Sequence, residues 1–364
     1  MPMSNEHTAK TILEIAHGRE DLKQAEAFDL SVLPILAEHL SQDLPIDVLE
    51  RFEAILKTVL RTNLSGKVSG SAARQVAEFQ KQIGLLTKYK SYAIKCASPL
   101  GYSIFLQTPN EGFSFQRHIT HKTEVFHILE VMPGGYVFIC DYKDWEAAYD
   151  PDSFGAWLAG KADDRYERFR YRPKPGDVVT IDTLGVVHTV VGCVLEEFAT
   201  VSTDMVDRLH DQNQGREIPA HFNRNYVREE LSHVSFPDSS QKVDLASDHG
   251  PTVEEIPAQE IKGGYMIPLA RTSITASRYV IEEGKSSDLL RDDKNAASIY
   301  VAAGAGRVVI ADDDELRQTP PPSIRVSAGD VLMIPAGINY AFLNEGSQRL
   351  VLSEQRISLD VAFL

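Results

Sequence analysis

The feature that most constrains this chain is a turn that occurs twice. Lys174-Pro175-Gly176-Asp177 leads into Val-Val-Thr-Ile, and Ser327-Ala328-Gly329-Asp330 leads into Val-Leu-Met-Ile-Pro-Ala-Gly. In both places a glycine-containing turn delivers a short apolar run of the kind that enters a buried sheet. Two such deliveries, far apart in one chain, predict a duplicated β unit rather than one enlarged sheet. The texture around them agrees. From Tyr92 onward the sequence breaks into runs such as YSIFLQ, GYVFICDY and DVVTI, separated by clusters of Pro, Gly and Asp.

Upstream the pattern is different. Leu49, Phe52, Ile55, Leu56, Val59 and Leu60 follow helical spacing, and Pro45 stands where a first helical turn tolerates it. Between about 235 and 258 the chain is polar and rich in turn formers, which predicts a connection. The expected fold is therefore mainly β: a helical N-terminal segment over residues 1–90, a first jelly-roll barrel over 91–235, and a second over 259–364.

With 364 residues the chain exceeds the usual single-domain size. No apolar run reaches the roughly 20 residues that span a bilayer, and the N-terminus MPMSNEHTAK lacks the basic and apolar regions of a secretory signal. These features set the expectation of a cytoplasmic protein. Cys96, Cys140 and Cys193 are odd in number and widely spaced, as expected of small buried side chains in a reducing compartment. The net charge of −15 argues against nucleic acid or an anionic membrane as partner, because both require Lys and Arg to displace counterions. An anionic small molecule would need a local basic pocket.

The chemistry concentrates between Phe113 and His127. In the run Phe113-Ser-Phe-Gln-Arg-His118-Ile-Thr-His121-Lys-Thr-Glu124-Val-Phe-His127, strand alternation sets Gln116 and His118 on one face and Phe113, Phe115 and Arg117 on the other. A turn near Thr120 would return Glu124 to the Gln116 face. Further on, the Gly176-Asp177 turn starts a strand, and a second turn at Leu184-Gly185 presents His188. Two imidazoles, a carboxylate and an amide or water suit one divalent ion, and ligand type alone does not choose among Zn, Mn, Fe, Co and Ni; zinc is the leading expectation. His121 is an alternative or addition to Gln116, whereas His127 alternates with apolar neighbours and reads as packed.

These residues resemble the type I phosphomannose isomerase family, metal-dependent bicupins of the cupin superfamily. The resemblance rests on Gln116 and His118, on Lys122-Thr123-Glu124 with Phe126, on His188, and on the segment from Glu197 through Ser202, Asp204 and Arg208. It implies that Gln116, His118, Glu124 and His188 are the metal set, that Lys122 and Arg208 are catalytic or substrate-binding, and that Glu197 lines the same pocket. The second β block is similar to the family's C-terminal cupin through Ser298–Gly306 and Ala328–Tyr340. It has no His-x-His pair, and Asn339 stands where a ligand histidine is expected, which implies a barrel without metal.

The sequence also departs from that family. Only Ile119, Thr120 and His121 separate the Gln-x-His pair from Lys122, where the family carries a long insertion, and the His188 loop lacks the Pro-Ala-Gly-x-x-His form. The implied function is an aldose-ketose isomerase or related enzyme acting on a sugar or sugar phosphate, with the base unassigned among Lys122, Glu197 and a histidine. A non-haem iron oxygenase and a non-catalytic sugar or organic-acid binding protein are the alternatives. Small molecules are the expected partners, with a homodimer also open.

Overall fold

A computed structural model describes residues 70–83, 86–90, 93–97, 101–107, 112–118, 122–181, 185–200, 206–210, 252–271 and 274–358. The helical positions between Leu49 and Leu60 and the ligand candidate His121 lie outside the described residues. Among the described residues, no helix is long and apolar enough to cross a membrane.

The first β unit contains β1 (Leu86–Lys90), β2 (Ala93–Ala97), β3 (Tyr102–Leu106), β4 (Phe115–His118), β5 (Glu124–Asp141), β6 (Arg170–Tyr171), β7 (Asp177–Ile181), β8 (Val186–Ala199), β9 (Val206–His210) and β10 (Thr252–Glu255). The sheet runs β1-β2-β3-β8-β5-β7-β10, with β4 joined to β8 and β9, and β6 to β5. The long strands β5 and β8 pair antiparallel from Glu124↔Ala199 to Asp141↔Val186, with register shifts at Ile128/Glu130 and Val131/Tyr136. Bulges of this kind bend a strand pair, allowing one sheet to curl around a core. That core contains Phe105, Phe126, Ile128, Val179, Val190 and Leu195.

The second unit follows with β11 (Gln259–Ile261), β12 (Gly264–Arg271), β13 (Thr275–Ile281), β14 (Asn295–Ala303), β15 (Ala305–Ala311), β16 (Ser323–Ser327), β17 (Val331–Ile334), β18 (Asn339–Leu343) and β19 (Leu350–Ser358). One sheet runs β11-β12-β13-β19-β14-β17 and the other β16-β15-β18. Ile299, Val308, Ile310, Leu332 and Phe342 fill the space between them.

The repeated turn has the same construction in both units. Asp177 Oδ2 accepts from Lys174 N at 2.8 Å, and Asp330 Oδ2 accepts from Ser327 N at 2.7 Å. Gly176 and Gly329 take φ of 94° and 91°, the left-handed region that a side chain would strain. Each turn delivers its strand to the same kind of partner: β7 pairs with β5, and β17 with β14.

Three boundaries differ from the sequence reading. Helix α1 (Ser71–Ile83) is followed by strand β1 before residue 90, so the first sheet begins inside the segment read as helical. Helix α1 itself belongs with the second unit: Ala72 and Val76 enter that core, and Glu315 accepts from the backbone N–H groups of Ser71 and Ala72. A carboxylate there satisfies orphan donors and complements the helix dipole. In the segment read as a linker, Thr252–Glu255 forms β10 and pairs along β7 from Asp177 to Thr180. Its Thr-Val-Glu-Glu sequence shows little amphipathic contrast, which hid the strand.

Between β5 and β7 the chain forms α2 (Tyr142–Ala148), α3 (Pro151–Leu158) and α4 (Asp164–Glu167). Asp141, Asp150 and Asp163 cap them by accepting from Lys143, Ser153 and Arg165 backbone N–H groups. Their apolar faces pack on the outer side of β4, β5 and β8, burying Trp145, Phe154, Trp157 and Tyr166 against Phe115 and Phe138.

Candidate metal centre

Strand alternation on β4, β5 and β8 brings the ligand candidates together. Gln116 is the Cα partner of His188, and Glu124 opens β5. His118, Glu124 and His188 are all buried, and their ligand atoms lie within 4.8 Å of one another. They are the one such group found among the described residues. The His118 and His188 rings stack at 5.3 Å between centroids. Gln116 is buried beside them, with Ser114 Oγ 3.5 Å from its Oε1.

Glu124 Oε2 faces both imidazoles, 2.9 Å from His118 Nε2 and 3.0 Å from His188 Nε2. Its other oxygen accepts from Lys122 Nζ at 2.6 Å, and Nζ also lies 3.3 Å from Glu197 Oε1. Burial works against ionising Glu124, but its interactions with His118 and Lys122 hold its carboxyl well below the usual range. Burial lowers the pKa of His118 against the opposing pull of Glu124, with Lys122 and His188 also pushing it down. A carboxylate and a neutral imidazole are the protonation states that bind a divalent ion.

His188 carries the clearest sign of that fit. Its Nδ1 donates to the Val186 carbonyl at 3.2 Å, so in the neutral ring Nε2 is the lone-pair nitrogen. That buried Nε2 makes no aligned hydrogen bond, although Glu124 Oε2 is close. A lone-pair nitrogen and a carboxylate oxygen at this range repel unless a proton or a metal cation lies between them, and a metal ion is the cation that would also engage His118. Two imidazole nitrogens, a carboxylate oxygen and a neighbouring amide are donors suited to such an ion.

The remaining sequence candidates separate. Lys122 and Glu197 meet at the centre. Arg208 lies in β9 as the Cα partner of Gln116, and its side chain lies outside the described residues. Phe113 departs from the expected face. It sits in the inner core with Phe126 at 5.9 Å, because β4 begins only at Phe115 and the alternation does not extend back through Gly112. In the second unit Asn339 donates to Asp313 at 3.0 Å.

Sequence reasoning did not identify a second buried cluster. Glu196, next to Glu197 but on the opposite face of β8, receives Tyr102 Oη at 2.8 Å and Arg278 Nη1 at 2.6 Å, and it faces His127 Nδ1 at 2.9 Å and Ser353 Oγ. Arg278 and Ser353 come from the second unit, so His127 is packed at a polar seam between the two. Tyr102 stacks on Tyr300 across the same seam at 5.3 Å. The Glu196-Glu197 doublet was the available signal, since adjacent strand carboxylates must point to opposite faces.

No family model matches the sequence, and no curated protein matches it. Solved structures do. The chain is 16% identical to mannose 6-phosphate isomerase from Bacillus subtilis, covering 70% of this chain and 74% of that one with a TM-score of 0.48. It is also 16% identical to oxalate decarboxylase from Bacillus subtilis, covering 76% of both chains with a TM-score of 0.46. A formate complex of oxalate decarboxylase from Lactobacillus farciminis matches at 16% identity over 76% of this chain and 86% of that one, TM-score 0.45. These are likenesses at low sequence identity, and the chemistry of the centre is read from its own residues.

Proposed function

We propose that the chain is a metal-dependent cupin enzyme that converts a small polyhydroxylated substrate, as an aldose-ketose isomerase or a related activity on a sugar or sugar phosphate. The observation that carries this reading is Lys122 Nζ, placed between Glu124 Oε1 at 2.6 Å and Glu197 Oε1 at 3.3 Å beside two imidazoles. A metal-binding protein without turnover needs the ligands but has no use for a buried ammonium-carboxylate pair next to them. Gln116, His118, Glu124 and His188 would hold a divalent ion, zinc foremost. When bound, the ion supplies Lewis acidity that polarises a carbonyl and its neighbouring hydroxyl.

The chain's own groups supply the rest. Isomerisation removes a proton from one carbon and returns one to its neighbour, with no net oxidant or reductant. The Lys122-Glu197 pair is suited to this exchange, Glu197 as acceptor and Lys122 as the group that shares the proton. The Lys122 ammonium also offsets negative charge developing on the substrate oxygen, in a site where burial keeps that interaction strong. Glu124 holds Lys122 in place, so one carboxylate links metal binding to the proton-transfer pair.

The test is metal analysis of the purified protein combined with an anaerobic screen of sugar phosphates. One divalent ion per chain and isomerisation without dioxygen support the reading; loss of both in His188→Ala ties them to this centre. The His-Glu-His set also matches the ligands of non-haem iron oxygenases. Dioxygen consumption with Fe(II), and inactivity with zinc or manganese, would replace the isomerase with that chemistry.

A further inference from the structure

The helical insertion α2–α4 packs on both strands that carry the histidines, and one of its residues, Tyr142, contacts both the His118 strand and the turn before His188. The Tyr142 ring lies under the Arg117 guanidinium, 3.4 Å from centroid to Cζ, and Arg117 stands between Gln116 and His118 on β4. The Tyr142 backbone N–H donates to Gly185 O at 2.9 Å, and Gly185 is the turn residue from which β8 runs to His188. Strand β4 itself pairs with β8 at one position among the described residues, Gln116↔His188, and the segment before it is tied to β8 by the Gly112↔Val191 bridge and by Thr189 Oγ1 donating to Phe113 O. Its other outward residue, Phe115, is fully buried in the same insertion, 4.9 Å from Phe154 and 5.8 Å from Trp145.

We infer that Tyr142 is a positioning residue that sets the separation of His118 and His188. The inference rests on the metal reading of the centre and adds a residue that touches no ligand atom. Its physical basis is that a buried guanidinium held against an aromatic face is both directional and costly to displace. With one end of Tyr142 on the His118 strand and the other on the His188 turn, the two imidazoles cannot drift apart independently. Outer groups that orient ligands in this way typically govern metal affinity by about ten- to a hundredfold.

Cobalt(II) titration of the full-length, metal-stripped protein tests this by its visible absorption and by competition with a chelator. The wild type should take up one Co(II) with a spectrum that His118→Ala abolishes. Tyr142→Leu, which keeps bulk but loses the aromatic face, should weaken Co(II) by about tenfold or more and shift the visible bands. Tyr142→Phe, which keeps the face, should restore both. If Tyr142→Leu does not fold, Arg117→Met is read in the same way. Unchanged affinity and spectrum in a folded Tyr142→Leu or Arg117→Met protein, with only the melting temperature lowered, overturn the inference and leave the metal reading standing. Failure of the wild type to bind Co(II) overturns both.

Discussion

Glu124 and Ala297 hold the same place in the two units. Four residues beyond the repeated Asp, Ile181 pairs with Glu124 and Ile334 pairs with Ala297. The second unit therefore has a methyl group where the first has the carboxylate that faces both imidazoles. It does keep a carboxylate at the place of Glu197: Glu197 pairs with Phe126 and Ser103, and Glu354 pairs with Ile299 and Ser277. There Tyr279, Tyr340 and Arg356 engage Glu354 in hydrogen bonds, and among the described residues no group of His, Cys, Asp or Glu in that unit comes together as a metal set.

A stoichiometry of one follows. The purified protein should contain one divalent ion per chain, and His118→Ala and His188→Ala should each remove it. Plasma emission spectrometry on the three proteins checks this. Two ions, or one retained by the His118→Ala/His188→Ala double variant, would move the site elsewhere.

Glu124 should be the carboxylate ligand. Its Oε2 lies within 3.0 Å of both histidine nitrogens, whereas the nearby Glu130 is only partly buried and turns back to Val131 N at 3.3 Å. Glu124→Gln should weaken the ion by more than about a hundredfold, beyond the range of outer groups, with Glu130→Gln near the wild type. Chelator competition on the two variants distinguishes them, and the reverse order would exchange the assignment.

The seam between the units should be acid-sensitive. Burial raises the pKa of Glu196, but Arg278, His127 and Ser353 outweigh it and leave the carboxyl at about 2, against an ordinary value of 4.5. A depressed carboxylate contributes stability above its unfolded pKa and loses that contribution as pH falls toward the folded one. The loss should run from about pH 5 to pH 2 and amount to on the order of 3 kcal/mol. Melting curves across that range should show a smaller acid loss in Glu196→Gln, whose stability at neutral pH is already reduced because Arg278 has lost its partner. Parallel acid curves for the two proteins would remove Glu196 as the source.

What the sequence revealed and what it hid follow from the range of the interactions. The turns at Asp177 and Asp330 were legible because glycine, aspartate and the strand that follows are contiguous. Gln116 and His118 were legible because period-two alternation is a local rule. Nothing local marks Glu196 as the partner of Arg278 and Ser353, which lie 82 and 157 residues away. The three helices of the insertion were not read from the sequence, although Asp141, Asp150 and Asp163 stand at their N-caps, and its role depends on Tyr142 meeting both Arg117 and Gly185. That contact depends on how β4, β5 and β8 curl.

Arg208 provides the last test, because its position is fixed by register. It pairs with Gln116 across β4 and β9, and paired positions in an antiparallel ladder have Cα atoms about 4.5–5.5 Å apart. The arginine is thus one strand away from the candidate metal ligands, on a chain whose net charge of −15 would otherwise repel an anion. Guanidinium presents a planar fork of donors that grips a phosphate or carboxylate through two parallel bonds, whereas an ammonium offers a point charge. Arg208→Lys should therefore keep the metal content and lower kcat/KM on an anionic substrate by about tenfold or more, the loss of roughly one charge-assisted bond. An ion pair with Asp204, Asp207 or Asp211 predicts something else: a lower melting temperature with substrate handling unchanged. Kinetics, metal content and melting of the same variant separate the two, and an unaltered kcat/KM would remove Arg208 from the pocket.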